Sequence, residues 1–244
     1  MATDYDTITQ QYKKSKELPF RLCIEAYTFF NLLGNLAGKS VLDLACGDGF
    51  YTRQLQLQGA ARVVGVDNSE KMIKLARQQE AADEQGIEYI IADVLELGLI
   101  GSFDLVAAAY LLNYAQTKEQ LLSMCQSIFT NLKPGGRFVS VNNNSEQPPQ
   151  SFLTSEKYGF IKSISEPLQE GTAITYTFFV GEQFSFDNYY LSPATYEWAF
   201  RNAGFKEIRW HKPLLSPDGV RQEGQEFWQD FLNYAPLVGI ECVK

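Results

Sequence analysis

The chain has 244 residues, with 21 Lys and Arg against 29 Asp and Glu, a formal net charge of −8. That length suits one α/β domain with room for an insertion, and an acidic surface without a basic run argues against a protein that grips a phosphate backbone. Residues 1–10 have neither a basic nor an apolar leader pattern, and the longest apolar run, Leu105 to Leu112, is too short to span a bilayer, so a cytoplasmic protein away from membranes is expected. Cys23, Cys46, Cys125 and Cys242 lack C-x-x-C spacing and read as reduced, packed thiols, with no metal site.

Residues 1–38 read as a mostly helical cap, with Leu18, Leu22, Ala26, Phe29, Phe30 and Leu33 as its apolar stripe and Gly34 as its end. Val41-Leu42-Asp43-Leu44-Ala45-Cys46-Gly47-Asp48-Gly49 follows. It is an apolar run of the kind that makes a buried parallel strand, closed by a Gly-Asp-Gly turn that lets backbone approach a ligand. A helix begins at Phe50, and Asp67 stands twenty residues past Gly47 at the end of Val63-Val64-Gly65-Val66. That is where a carboxylate accepts ribose hydroxyls. A dinucleotide fingerprint requires glycine at position 52, and this chain has Thr52. The stretch instead resembles motif I of the class I S-adenosylmethionine (SAM) methyltransferases. The fold that the resemblance implies is a Rossmann-like sheet of seven mostly parallel strands, and the cofactor is SAM.

Ser69 caps the next helix, whose apolar side carries Met72, Ile73, Leu75 and Ala76 and whose first turn, with Asn68, would lie against the adenosine. Ile87 to Ile91 makes a third strand ending at Asp93, where the resembling family places an acceptor for the adenine amino group, with Val94 packing on the ring. Phe103 to Ala109 is the fourth strand. Its small residues, Ala109 among them, allow close approach to SAM, and Tyr110 follows at the carboxyl edge, where open α/β sheets place their sites. Thr117-Lys118-Glu119-Gln120 is a capping box, and Lys133-Pro134-Gly135-Gly136 turns its helix into a fifth strand.

From 145 to 191 the alternation of helix and strand stops. Ile174, Tyr176, Phe178 and Val180, then Phe184, Phe186 and Tyr190, mark antiparallel strands of an insertion that would lie over the carboxyl edge. Its aromatic residues could wall a pocket for a flat molecule. Ser192-Pro193 opens a helix that Gly204 ends, Phe205 to Trp210 is a strand, and Leu237 to Val243 is the last. The expected organisation is one domain, with 1–38 as cap, 39–144 as the SAM-binding core, 145–191 as lid and 192–244 completing the core.

The whole run of motifs resembles the toxoflavin-pathway azapteridine N-methyltransferases and related small-molecule enzymes. It comprises Gly-Lys-Ser-Val-Leu-Asp-Leu-Ala-Cys-Gly from 38, Val-Val-Gly-Val-Asp from 63, Asn-Tyr-Ala from 113, Lys-Tyr-Gly from 157, Gln-Phe-Ser-Phe from 183 and Lys-Pro-Leu-Leu from 212. The resemblance implies methyl transfer to N or O of a small planar acceptor, with Tyr5 and Tyr110 near that acceptor and with Tyr12 and Arg21 meeting the methionine carboxylate. At Tyr110 and His211 the chain departs from those enzymes, where Trp and Gln are expected. His211 is the sole histidine and the candidate base, should the acceptor have to lose a proton. The cofactor set is then Tyr12, Arg21, Ala45, Cys46, Gly47, Gly49, Asp67, Asn68, Met72, Asp93, Val94 and Ala109. Two other readings stand beside it, a Rossmann-type oxidoreductase and a catalytically silent SAM-binding protein with a partner or regulatory role. The oligomeric state is left open.

Overall fold

The structure is a computed structural model and describes residues 11–244, so Tyr5 lies outside the described residues. Seven strands form one sheet in the order β3-β2-β1-β4-β5-β10-β9, with β1 Ser40–Leu44, β2 Arg62–Asp67, β3 Glu88–Ile91, β4 Phe103–Ala109, β5 Leu132–Asn143, β9 Glu207–His211 and β10 Leu237–Val243. The first five are parallel, and β10 runs antiparallel to both β5 and β9. This is the Rossmann-like architecture the sequence predicts.

The strands read as unbroken apolar runs because both faces are covered. Val41, Val63, Leu105, Ala107 and Val139 point to the side packed by Phe29, Leu33, Leu55 and Ile73. Leu42, Val64, Val106, Ala108 and Phe138 point the other way, onto Leu121, Cys125, Ile128 and Phe200. The helices are closed as the sequence indicates. Ser69, Thr117 and Ser192 accept from the backbone N–H three residues on, and Gly204 ends its helix at φ +112°. The capping box is offset by one residue, since Gln120 Oε1 accepts from Gln116 N–H at 2.7 Å and not from the N-cap itself.

Two local readings change. The expected turn at Lys133–Gly136 is a bulge inside β5, which already pairs with β4 at Leu132 and shifts register before Arg137. In the cap, a π-helical segment Arg21–Ala26 runs into the α-helix Tyr27–Leu33. The wider turn rotates the stripe, so Phe20, Cys23 and Ile24 are buried and Leu22, expected inside, is 54% exposed. The same rotation carries Arg21 and Glu25 into the interior.

The insertion forms a second sheet, β6-β7-β8, antiparallel throughout, from Phe160–Ser163, Ala173–Phe178 and Phe184–Tyr189. Its apolar face packs on Phe20, Ile24, Trp228 and Phe231, joining the cap and the segment before β10 in a third core. Tyr158 stacks on Trp228, its ring centroid 5.5 Å away, and its hydroxyl donates to Phe227 O, so this aromatic holds the insertion in place. No helix among the described residues is long and apolar enough to cross a membrane.

Candidate active site

At the carboxyl end of β1 the backbone turns through three left-handed residues, Ala45 at φ +57°, Gly47 at +57° and Gly49 at +80°. A side chain at Gly49 would run into Tyr89 Oη and Arg53, whereas at Gly47 nothing lies within 4 Å of where a Cβ would sit. Gly47 therefore faces open space. Its N–H donates to Asp67 Oδ2 at 2.8 Å, and Ser69 N–H donates to Oδ1 at 2.9 Å, which fixes the carboxylate at the end of β2. Burial raises the Asp67 pKa against the pull of these backbone donors. Cys46 is buried and its thiol is pushed far above the usual range by burial, which agrees with a packing role.

Thr52, the residue that breaks the dinucleotide fingerprint, is fully buried and donates its hydroxyl to Asp43 Oδ2 at 2.7 Å. Burial still pushes the Asp43 carboxyl up to about 7.

An open cleft runs along the carboxyl ends of β1, β2 and β4. Ala45, Gly47, Asp67, Asn68, Met72, Asp93 and Val94 line it, together with Tyr12 and Ala109. Cys46 borders a smaller recess behind the glycine turn, with Lys16 and Tyr51. Gly49 lines neither and serves the turn itself. Tyr114, Gln116, Gln120 and Met124 also line the cleft, and the sequence reading did not assign the last three to the site. Gln120 read there only as part of the capping box.

Tyr12, Tyr110 and Tyr114 also line a second, tighter pocket, together with Phe20, Phe178 and Phe186. Tyr110 takes φ +63°, rare for an aromatic residue, and its N–H is held by Val141 O at 2.9 Å. The Tyr110 hydroxyl donates to Glu25 at 2.7 Å, Tyr51 donates to the same carboxylate at 2.6 Å, and Arg21 forms an ion pair with it. Burial alone would raise Glu25, but the Arg21 charge and these donors bring its pKa below the ordinary value. For Arg21, burial works against the cation and the Glu25 charge outweighs it, so its pKa is raised. Burial and the Glu25 charge push both tyrosines upward.

Two expected site residues are placed elsewhere. Arg21 lines the second pocket and not the cleft, with its charge committed to Glu25. His211 lines neither cavity. It sits on the edge strand β9, beside Gly239 of β10, with Nε2 3.4 Å from Glu241. The strand runs parallel to β5, but β5 and β10 separate it from β4, and the His211 side chain is on the sheet face where Leu32 packs.

The family described as a methyltransferase domain matches residues 41–136, which span the glycine turn, Asp67 and Asp93. A demethylmenaquinone methyltransferase of Lactococcus lactis is 31% identical over 186 residues, covering 74% of this chain and 71% of that protein. The chain belongs to the class I SAM-dependent methyltransferases. A ubiquinone biosynthesis O-methyltransferase of Bordetella avium is 32% identical over 126 residues, and the match spans about half of each protein, 50% of this chain and 49% of that one. An S-adenosylmethionine dependent methyltransferase from Mesorhizobium loti shares the fold at TM-score 0.65 and 19% identity, covering 94% of this chain and 100% of that one.

The cofactor of this methyltransferase is SAM, and the residues present fit it. Asp67 accepts backbone N–H groups from Gly47 and Ser69, and a carboxylate offers about four lone-pair positions, so acceptor capacity remains for a ribose hydroxyl. The space before Gly47 leaves room for ligand atoms against backbone. Glu25 was not foreseen in the methyltransferase site. Its signal in the sequence was a carboxylate four residues from Arg21 inside an otherwise apolar stripe.

Proposed function

We propose that this methyltransferase acts on a nitrogen, or an already ionised oxygen, of a small planar acceptor held in the aromatic pocket. One observation carries the reading: the pocket of Phe20, Phe178 and Phe186 shares the walls Tyr12, Tyr110 and Tyr114 with the cofactor cleft. Flat aromatic walls suit a ring, and the shared tyrosines mark where acceptor and methyl group meet.

SAM, when bound, supplies a methyl group on a sulfonium leaving group. Asp67 and Asp93 would hold its ribose and adenine, and Tyr12 its amino-acid end. The chain's own work is then placement. Fixing two reactants in line corresponds to effective molarities of about 10⁵ to 10⁸ M, or about 7 to 11 kcal/mol of barrier. Tyr110 is suited to that task because Glu25 locks its hydroxyl and its backbone is pinned to β5. The same hydrogen bond removes Tyr110 as a base, and His211 is away from the pocket, so a group that carries a lone pair without losing a proton is favoured. A ring nitrogen of the azapteridine kind meets that requirement, as does a phenolate or enolate. The relatives named for demethylmenaquinone and ubiquinone biosynthesis place quinol-like rings in the same test set.

Isothermal titration with SAM and S-adenosylhomocysteine comes first. Saturable binding is expected, weakened about 10-fold or more by Asp67→Ala, since each lost charge-assisted hydrogen bond is worth about 1.5–3 kcal/mol. Transfer of labelled methyl to planar N-heterocycles and phenols is then measured. Cofactor binding with no transfer to any of them supports a silent SAM-binding protein, and no binding by folded protein refutes the proposal.

A further inference from the structure

Behind the aromatic pocket lies a narrow recess, which shares Asn143 and Tyr176 with it. Its floor is polar in a way that the fold alone does not require. Lys162 of β6 is 2% exposed, on the inward face of a strand whose other inward residue is Phe160. Its Nζ donates to Gln147 Oε1 at 2.6 Å and to Pro236 O at 2.9 Å, and it lies over the rings of Tyr176 at 4.9 Å and Phe152 at 5.6 Å. Both hydrogen-bond partners are neutral, and among the described residues no Asp or Glu lines the recess. A lysine is almost never fully buried unless its charge is met.

Two further groups on the recess wall have no hydrogen-bond partner. The Tyr176 hydroxyl is buried and unpaired, and Asn113, 1% exposed, has both amide atoms unpaired. Leaving such groups unsatisfied costs about 1–3 kcal/mol each, so a set of them facing one cavity calls for an occupant. The Arg21–Glu25 pair of the neighbouring pocket neutralises itself and adds no net charge. Lys162 is thus the uncompensated cation of the combined cavity.

The geometry points to an anion-binding subsite in which Lys162, Asn113 and Tyr176 hold the carboxylate of the methyl acceptor while its ring lies against Tyr110. The acceptor class is accordingly a planar aromatic acid. A carboxylate would receive an N–H from Lys162, an N–H from Asn113 Nδ2 and the O–H of Tyr176, which pairs the three groups together. Burial brings the Lys162 pKa down to about 7, the behaviour of a cation that lacks its counter-charge. Tyr176, Tyr189, Tyr190 and Tyr196 also face the recess, and burial raises all four, so Lys162 is the lining group that titrates near neutrality.

This inference rests on the methyltransferase reading above, and its test separates the two. Protein saturated with S-adenosylhomocysteine is titrated with a set of planar aromatic acids, each beside its uncharged primary amide. At least one acid should bind about tenfold or more tighter than its amide, and near pH 8 its binding should take up about one proton, read from buffers of different ionisation enthalpy. Lys162→Met should abolish the preference. Tyr176→Phe, which removes a hydroxyl that has no partner in the free protein, should weaken it about threefold or more without loss of folding. S-adenosylhomocysteine affinity should be unchanged in both variants. The subsite is overturned if no acid is preferred to its amide, or if the preference survives Lys162→Met. Failure of S-adenosylhomocysteine itself to bind refutes the methyltransferase reading, whereas its binding without acid preference removes the anion subsite alone.

Discussion

Replacing Lys162 by Met removes a buried cation with little change in volume, and its effect on stability depends on pH in a way that the structure fixes. Burial takes the Lys162 pKa from 10.5 to about 7. Below about pH 7 the folded chain carries the charge at a penalty of about 5 kcal/mol, an upper bound before local relaxation. Between about pH 7 and pH 10.5 the unfolded chain holds a proton that the folded chain has released. Wild-type stability therefore rises with pH there, by at most about 1.4 kcal/mol per pH unit from this group. The substitution also strands Gln147 Oε1 and Pro236 O, at about 1–3 kcal/mol each. Near pH 6.5 the two effects oppose and the proteins should be within about 3 kcal/mol of each other. By about pH 9.5 the variant should have lost about 3 kcal/mol relative to wild type, because most of the penalty that it relieves has gone. Urea denaturation of both proteins across that range, followed by circular dichroism, gives the difference directly, with the titration of all other groups cancelling. A difference that stays flat with pH would refute the account of Lys162 as an unmet buried cation.

Glu25→Gln leaves Arg21 buried without its counter-charge and should destabilise the fold by about 3–5 kcal/mol in urea; a loss under about 1 kcal/mol would show that the pair is not desolvated. Thr52→Val removes the donor to Asp43, which should titrate above about 7 by carboxyl-carbon NMR, and an unmoved pKa would sink that assignment. The sign follows from a carboxyl raised from 3.8 to about 7: its contribution to stability is lost as pH rises through that interval, and the variant extends the loss to higher pH. His211→Ala should leave methyl transfer within about twofold of wild type, since the ring lines neither cavity; a drop of about tenfold or more would return His211 to the mechanism.

The cofactor half of the site was legible because backbone geometry writes it into the sequence. A strand covered on both faces has to be an unbroken apolar run, a left-handed turn selects glycine at 47 and 49, and the carboxylate that meets that turn has to stand at the end of the next strand. Thr52 shows how far this goes. Its identity argued against a dinucleotide, and its buried hydroxyl on Asp43 supplies the structural reason for a threonine there.

The acceptor half is assembled differently, and this explains where the sequence reading failed. Phe20, Tyr110, Phe178 and Phe231 come from the cap, the end of β4, the insertion and the last short helix, and no periodicity links them. Arg21 as a carboxylate ligand was implied by the family resemblance alone. The π-helical turn that swings it onto Glu25 leaves no mark in a 3.6-residue pattern. His211 is displaced for a related reason: the sequence yields the strand, but not the two strands, β5 and β10, that separate β9 from β4. The signal that the sequence reading did not use is charge inside apolar patterns. Arg21 and Glu25 within a buried helical stripe, and Lys162 on the inward side of a strand, each break the pattern of their element. The structure puts all three around the two cavities where the acceptor would sit. A charged residue at an inward position is therefore a better pointer to the proposed acceptor site than the histidine.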